Sequence, residues 1–330
     1  MKILVTGGAG FMASNFIRYI LQKYPDYKIV NLDKLTYSGN PENLKDIDDN
    51  PNYQFVCGDI ANENDVKKAI EGVDAIINYA AETHVDQSLL HPDQFVKTNV
   101  LGTCVLLEAI RKFGIKRFIQ ISTDEVFGAV LKGTTNEEAP FKPRSPYSAS
   151  KAGADHLAYA YFTTYNAPVI ITHSCNFFGP YQFPEKLIPR FITNLLEGKK
   201  VPVYTPGNQI REWIFTEDHC SAIDAILHRG QIGEIYNIGT GYRKTNLEIT
   251  KKIIKLFHKN EDEIEYVKDR PGHDVRYAVN SNKLRGELGW KPEYGFNEAL
   301  KKTVSWYANN SNWWKPLKKK SEALYKNWGK

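Results

Sequence analysis

Short, continuous apolar runs recur through the first half of the chain, at Ile3–Val5, Ile29–Leu32, Phe55–Cys57, Ala75–Ile77, Phe118–Ile121 and Val169–Ile171. They do not alternate with polar residues, so they predict strands covered on both faces, the condition of a parallel sheet. Longer stretches of helical periodicity, Asn15–Lys23, Gln94–Lys112 and Ser148–Tyr165, fall between several of them. Strand followed by helix, repeated, predicts an α/β fold with a doubly wound parallel sheet.

Past Ser174 the rhythm changes. Pro180, Pro184, Pro189, Pro202 and Pro206 punctuate loops and short helices, while Glu217–Leu227 and Ile235–Ile238 read as one more helix and strand returning to the sheet. Thr245 and Glu248 have capping-box spacing at the start of a helix over Leu247–Phe257. The expected organisation is a dinucleotide-binding unit over residues 1–174 and a smaller interleaved α/β substrate-binding unit over 175–330. About residues 210–240 return to the first. No internal repeat or low-complexity linker is present.

The run Thr6-Gly7-Gly8-Ala9-Gly10-Phe11-Met12-Ala13 follows the first strand and opens the first helix. Gly8, Gly10 and Ala13 satisfy G-x-G-x-x-G/A, in which small residues permit a tight turn and let helix-terminal amides approach a pyrophosphate. The pattern alone is common; its position between strand and helix points to a Rossmann-type unit. Asp33 ends the next strand 20 residues beyond Ala13. An acid there binds ribose hydroxyls and repels a 2′-phosphate, favouring NAD over NADP, whereas the bland reading is a solvated strand end. Gly58-Asp59-Ile60 and Asn78-Tyr79-Ala80-Ala81-Glu82 close the third and fourth strands, on the edge where an open α/β sheet forms its crevice.

Tyr147 and Lys151 stand four residues apart, on one face of a helix, and the lysine's field is expected to favour phenolate over phenol. By chance such a pair is usually surface decoration. Ser122-Thr123-Asp124-Glu125 supplies context, closing the fifth strand 22 residues before Tyr147. Oxidation of an alcohol needs Tyr147, Lys151 and a hydroxyl such as Thr123; it has no use for two adjacent carboxylates. Elimination of water does, with one as acid and the other as base.

Composition then narrows the class. The chain has 330 residues, 42% hydrophobic and 25% charged, which excludes coiled-coil, collagenous and disordered classes. Its net charge of +5 is local: residues 301–330 carry eight lysines against Glu322, so the first 300 sum to −2. A solvated basic tail is therefore expected, not a nucleic-acid surface. Cys57, Cys104, Cys175 and Cys220 form no CxxC pair, and no His, Asp or Glu set has metal-ligand spacing. With no 18-residue apolar run and no signal-peptide pattern after Met1, the expected setting is the cytoplasm, without a membrane partner.

The motifs TGGAGF (Thr6–Phe11), LDKLTYSGN (Leu32–Asn40), AAETHVD (Ala80–Asp86), STDEVFG (Ser122–Gly128) and YSASKA (Tyr147–Ala152) resemble those of the dTDP-glucose 4,6-dehydratases, within the extended short-chain dehydrogenase/reductase family. GPYQFPEKLIP (Gly179–Pro189), REW (Arg211–Trp213) and DRPGHDVRY (Asp269–Tyr277) extend the resemblance over most of the chain. It implies a lyase of deoxysugar biosynthesis, such as that leading to rhamnose, that is a homodimer. Tyr147, supported by Lys151 and Thr123, would take the carbon 4 hydroxyl proton as hydride passes to NAD+. Glu125 would remove the carbon 5 proton, Asp124 would protonate the departing carbon 6 hydroxyl, and hydride would return to carbon 6.

The same resemblance assigns cofactor contacts to Gly7, Gly8, Gly10, Phe11, Met12, Asp33, Lys34, Leu35, Thr36, Asp59, Ile60, Ala80, Ala81, Glu82, Thr83, Thr98, Tyr147 and Lys151. It assigns nucleotide-sugar contacts to Thr83, Thr123, Asn176, Lys186, Leu187, Ile188, Pro189, Arg211, Asn246, Asp269, Arg270, Pro271, Gly272 and His273. Arg211 and Lys186 suit a diphosphate. Departures from the family pattern fall at Ala13, Gln87, His173, Phe177, Phe178 and the YTPGN run Tyr204–Asn208. UDP-glucose 4,6-dehydratase, nucleotide-sugar 4-epimerase and a non-catalytic NAD-binding scaffold are the competing readings. The helices over Gln94–Lys112 and Ser148–Tyr165 are the candidate dimer faces.

Overall fold

A computed structural model describes residues 1–269 and 273–326. Arg270, Pro271 and Gly272, expected at the sugar site, and Trp328 of the tail lie outside the described residues. In chain order the strands are β1 (Lys2–Thr6), β2 (Lys28–Asp33), β3 (Tyr53–Cys57), β4 (Ala75–Asn78), β5 (Arg117–Thr123) and β6 (Val169–Ser174). They continue with β7 (Asn176–Phe178), β8 (Val201–Tyr204), β9 (Ile210–Phe215), β10 (Ile235–Ile238), β11 (Arg243–Thr245) and β12 (Ile264–Val267).

Seven strands make one sheet in the order β3-β2-β1-β4-β5-β6-β10, every neighbouring pair parallel. The sequence doubles back between β1 and β4. This is the Rossmann-type doubly wound sheet that the apolar runs predict, and their continuity has a plain cause. Ile3 and Val5 pack with Phe16, Ile17 and Ile223 in one core, while Leu4 packs with Ile76, Leu106 and Phe118 in another. Consecutive residues of a strand face opposite sides, and both sides are dry. β3 departs from this expectation: it is the sheet edge, and Phe55 is 41% exposed.

The smaller unit is built on a three-stranded sheet, β11-β9-β7, and a parallel pair, β12-β8. Helices Leu187–Leu196, Asn246–Leu256 and Phe296–Asn309 close a third core around Phe178, Ile192, Trp213 and Ile253. β9 belongs to this small sheet; the return to the large one is made by helix Thr216–Arg229 and β10. The capping box at Thr245 and Glu248 forms as its spacing predicts.

The continuous helix expected over Gln94–Lys112 is instead three pieces: a turn at Pro92–Phe95, a π-helical segment Val96–Leu101, and the helix Gly102–Phe113. The wider π turn buries neighbouring residues Thr98 and Asn99 together. Asn99 then accepts from Glu82 N at 2.9 Å and donates to Glu82 O and Ser150 Oγ at 3.1 and 2.8 Å. One amide side chain thus ties the end of β4 to the helix that carries Tyr147. No helix among the described residues is long and apolar enough to cross a membrane.

Candidate active site

The glycine loop is shaped by contact with the loop after β4. Gly7 has φ +68°, and a Cβ there would lie 2.8 Å from the Ala80 Cα. Gly10 begins the helix Phe11–Lys23 without any side-chain cap, so its first-turn amides face an uncapped end. Phe11, Met12 and Ala13 line the crevice there. Asp33 is buried; its carboxylate accepts from Ala9 N at 3.0 Å and Leu35 N at 2.7 Å. Burial raises its pKa, and those two amides oppose the shift. Lys34 lies 3.6 Å from Asp59 and 3.9 Å from Glu82, and donates to Thr98 Oγ1 at 2.8 Å. Its charge is met by these partners, so this pocket suits a ribose with free hydroxyls better than a 2′-phosphate.

At the end of β5 the reacting groups converge. Lys151, buried, donates to the Ile121 carbonyl at 2.6 Å. Burial lowers its pKa against the charge of Asp155. Tyr147 is buried as well, and its phenol is pushed above the ordinary range by burial and then by the Glu125 charge, with a hydrogen bond to Thr123 opposing. Burial and the nearby carboxylate thus favour the phenol over the phenolate.

Asp124 is 3% exposed, and its pKa is raised well above the carboxylate range by burial, then by the charges of Glu125 and Glu212. Its Oδ2 is buried without a hydrogen-bond partner. Glu125, half-buried beside it, receives the Tyr277 hydroxyl at 3.5 Å, and Tyr277 also donates to Asp274 at 2.7 Å. Two adjacent carboxyls thus sit in different environments, the buried one pushed toward its acid form.

A single cavity of about 620 Å³ joins these groups to the small unit. Thr123, Asp124, Glu125, Tyr147 and Lys151 all line it, with Gly7, Gly10, Thr36, Ile60, Ala80, Ala81, Thr83 and the other cofactor residues already placed. Asn176, Lys186, Leu187, Ile188, Arg211, Asn246 and His273 line its sugar end. The buried Oδ1 atoms of Asn176 and Asn246 and the Nε1 of Trp213 have no partner among the described residues, which makes them polar groups awaiting a polar ligand.

Four expected contacts do not line the cavity. Gly8 packs on Asn31, whose Oδ1 is 2.1 Å from where a Cβ would fall. Leu35 instead anchors Asp33 through its amide, and Pro189 is buried in the helix Leu187–Leu196. Asp269 stands behind His273, bonded to its Nδ1 at 2.8 Å and to Gln209 at 2.8 Å. Conversely, sequence reasoning missed Tyr277 and Glu212 as neighbours of the carboxyl pair. Tyr277 lay within the DRPGHDVRY run and Glu212 within REW, so motif membership was a usable signal for both.

The pattern of the GDP-mannose 4,6 dehydratase family matches residues 4–303. Among curated proteins, the dTDP-glucose 4,6-dehydratase of Streptomyces niveus is 47% identical over 98% of this chain and 97% of its own length. The low-salt glycan biosynthesis protein Agl12 of Haloferax volcanii is 50% identical, covering 93% of this chain and 98% of that protein. A crystal structure of dTDP-glucose 4,6-dehydratase from Bacillus anthracis in complex with NAD superposes with a TM-score of 0.91 at 51% identity, covering 96% of this chain and 99% of that one.

The protonation of Asp124 has a thermodynamic signature. Its folded-state pKa lies above that of the unfolded chain, so the native state loses stability as pH rises from the ordinary carboxylate range toward the folded value. Asp124→Asn removes that penalty. The variant is expected to melt at a higher temperature than the parent at pH 7–8 and at the same temperature below about pH 4, while losing dehydration activity. Thermal melts across pH check this; a variant that melts lower at pH 8 contradicts a raised Asp124 pKa.

Proposed function

The chain belongs to the nucleotide-sugar dehydratase family whose pattern is that of GDP-mannose 4,6 dehydratase, and from that membership we propose that it is an NAD-dependent dTDP-glucose 4,6-dehydratase. It converts dTDP-glucose to dTDP-4-keto-6-deoxy-glucose and water. One observation carries the choice of reaction: a buried acid, Asp124, adjoins a half-buried carboxylate, Glu125, in the crevice that holds Tyr147 and Lys151. Epimerisation at carbon 4 uses the Tyr147–Lys151 pair and leaves the carboxyl pair without a task. A scaffold uses neither.

NAD would lie over the contact of Gly7 with Ala80, with its phosphates at the helix end after Gly10 and its adenosine ribose at Asp33. When bound, it accepts hydride from carbon 4 and returns it to carbon 6. Tyr147 takes the carbon 4 hydroxyl proton, with Thr123 hydrogen-bonded to the phenol. The positive charge of Lys151 and of the oxidised cofactor stabilises the phenolate that must form. The 4-ketone acidifies the carbon 5 hydrogen, which Glu125 removes, with the Tyr277 hydroxyl 3.5 Å from its carboxylate. Asp124 gives its proton to the carbon 6 hydroxyl, which leaves as water. As hydride reaches carbon 6, Glu125 returns its proton to carbon 5, and the proton taken by Tyr147 makes good the one that Asp124 gave, so protons and hydride balance over the cycle and no external reductant is consumed.

The diphosphate is assigned to Arg211 and Lys186, with the sugar and base held by Asn176, Asn246 and the segment Asp269–His273, of which the structure describes the two ends. Arg211 is fixed by bonds to the Ile210 and Asp274 carbonyls and by stacking at 4.3 Å on Tyr277. Tyr277 therefore connects the phosphate-binding cation to the carbon 5 base. A homodimer belongs to the same reading. Val96 and Leu101 are 54% and 48% exposed, and Tyr159 and Tyr165 are exposed to a similar degree, along the two candidate helical faces. Light scattering is expected to give twice the mass of the chain; replacing Leu101 and Tyr159 by Glu should return it to one, and a parent that is already monomeric removes the assignment.

Incubation with dTDP-glucose and UDP-glucose in parallel tests substrate and reaction together. The expected product is the 4-keto-6-deoxy sugar, with kcat/KM higher for dTDP-glucose. A clear advantage for UDP-glucose moves the nucleotide assignment alone, whereas a 4-epimer as product removes the dehydratase reading.

Glu125→Gln separates the half-reactions. It keeps volume and removes the base, so dehydration and carbon 5 exchange with deuterated solvent should slow by ~10²–10⁴. Rapid mixing should still show reduced cofactor and 4-keto-glucose forming first. Dehydration at the parental rate would exclude Glu125 as the base.

A further inference from the structure

The C-terminal helix Ser311–Lys326 follows the small unit in sequence, yet one of its side chains is linked through Asn43 to the dinucleotide loop at the other end of the chain. Trp313 Nε1 donates to Asn43 Oδ1 at 2.9 Å. Asn43 is 1% exposed, and its Nδ2 donates to the Ala9 carbonyl at 2.8 Å. Ala9 is the residue between Gly8 and Gly10; its carbonyl also receives Asn40 N at 3.0 Å, and its amide donates to Asp33 at 3.0 Å. Thus the peptide groups on both sides of Ala9 are fixed, one by the ribose-binding acid and the other by a relay that ends on an indole 270 residues beyond Asn43.

The relay is braced. Arg18, from the helix that the loop opens, donates to the Asn43 carbonyl, bonds Asp46 at 2.7 Å, and lies 4.1 Å over the ring of Tyr181. Tyr181 packs on Trp306 and Trp313 at 4.7 and 5.8 Å between ring centres. Every polar atom of the Asn43 side chain and its carbonyl is therefore committed, and the indole is placed by its neighbours. A buried amide in that position has one low-energy orientation, and it fixes the direction in which the Ala9 carbonyl points. The adjoining Trp314 differs: its Nε1 bonds the Tyr307 carbonyl at 2.7 Å, within the same tail.

We propose that Trp313 is a positioning residue for NAD: through Asn43 it holds the Ala9 turn of the phosphate loop, so that docking of the C-terminal helix sets how long the enzyme keeps its cofactor. This rests on the reading that the loop Gly7–Gly10 holds NAD. Trp313→Phe keeps an aromatic ring against Tyr181 and Trp306 and removes only the donor. Loss of one such bond corresponds to about a 3- to 10-fold change in an equilibrium or rate.

The experiment measures exchange of bound NAD for labelled NAD in the full-length holoenzyme. Trp313→Phe is expected to exchange about 3- to 10-fold faster, with the apparent KM for NAD added to the stripped enzyme raised and the KM for dTDP-glucose unmoved. Asn43→Asp, which keeps the acceptor for Trp313 but sets an oxygen against the Ala9 carbonyl, should do the same, and the double variant should exchange no faster than Asn43→Asp alone. Trp314→Phe should exchange at the parental rate. Parental exchange in folded Trp313→Phe, or equal acceleration in Trp314→Phe, overturns the relay while leaving the cofactor reading intact. A parent that binds no NAD overturns both.

Discussion

The contact on which the site depends is between two backbones. Where β1 and β4 end, side by side at the point at which the sheet's strand order reverses, the Gly7 turn and the Ala80 backbone approach so closely that no Cβ fits between them. That closeness opens a crevice at the carboxyl ends of the strands instead of a packed seam. The uncapped helix end, Asp33, and the acids around Lys34 border it because each comes after a neighbouring strand.

The chemistry then depends on uneven burial across a few residues. Thr123, Asp124 and Glu125 are consecutive, yet the turn after β5 sends Asp124 into the protein and leaves Glu125 half-exposed. Charge at Glu125 and Glu212 makes a second charge at Asp124 costly, so the proton stays there. Burial first, and then the charge of Glu125, push the phenol of Tyr147 above its ordinary range. Two carboxyls of like chemistry thus sit in unlike surroundings, set by their neighbours.

Long-range ties keep these pieces in register. Asn99 joins the end of β4 to the helix of Tyr147, Tyr277 joins Glu125 to Asp274 and Arg211, and Asn43 joins the phosphate loop to the tail. All three are buried or half-buried polar groups with specific partners, whose replacement leaves a desolvated atom unmatched. Apolar cores on the two faces of the sheet supply its stability; these polar ties fix the relative placement of its loops.

Features set by adjacent residues were legible in the chain before any fold was known. Continuous apolar runs meant strands dry on both sides, the small residues Gly7–Gly10 meant a tight turn into a helix, and Tyr147 with Lys151 meant a phenol and an ammonium on one helical face. Thr123, Asp124 and Glu125 could likewise be placed at a strand end. The depth of Asp124, the sign of the shift on Tyr147, and the π segment that buries Thr98 and Asn99 together inside what reads as one helix could not be read in the same way. Those are properties of surroundings contributed by residues tens of positions away, such as Glu212 for Asp124, Glu125 for Tyr147, and Glu82 and Ser150 for Asn99. Local pattern selects elements because backbone and side-chain periodicity are local; protonation and position waited on folding, which removed water from these groups and brought their distant neighbours against them.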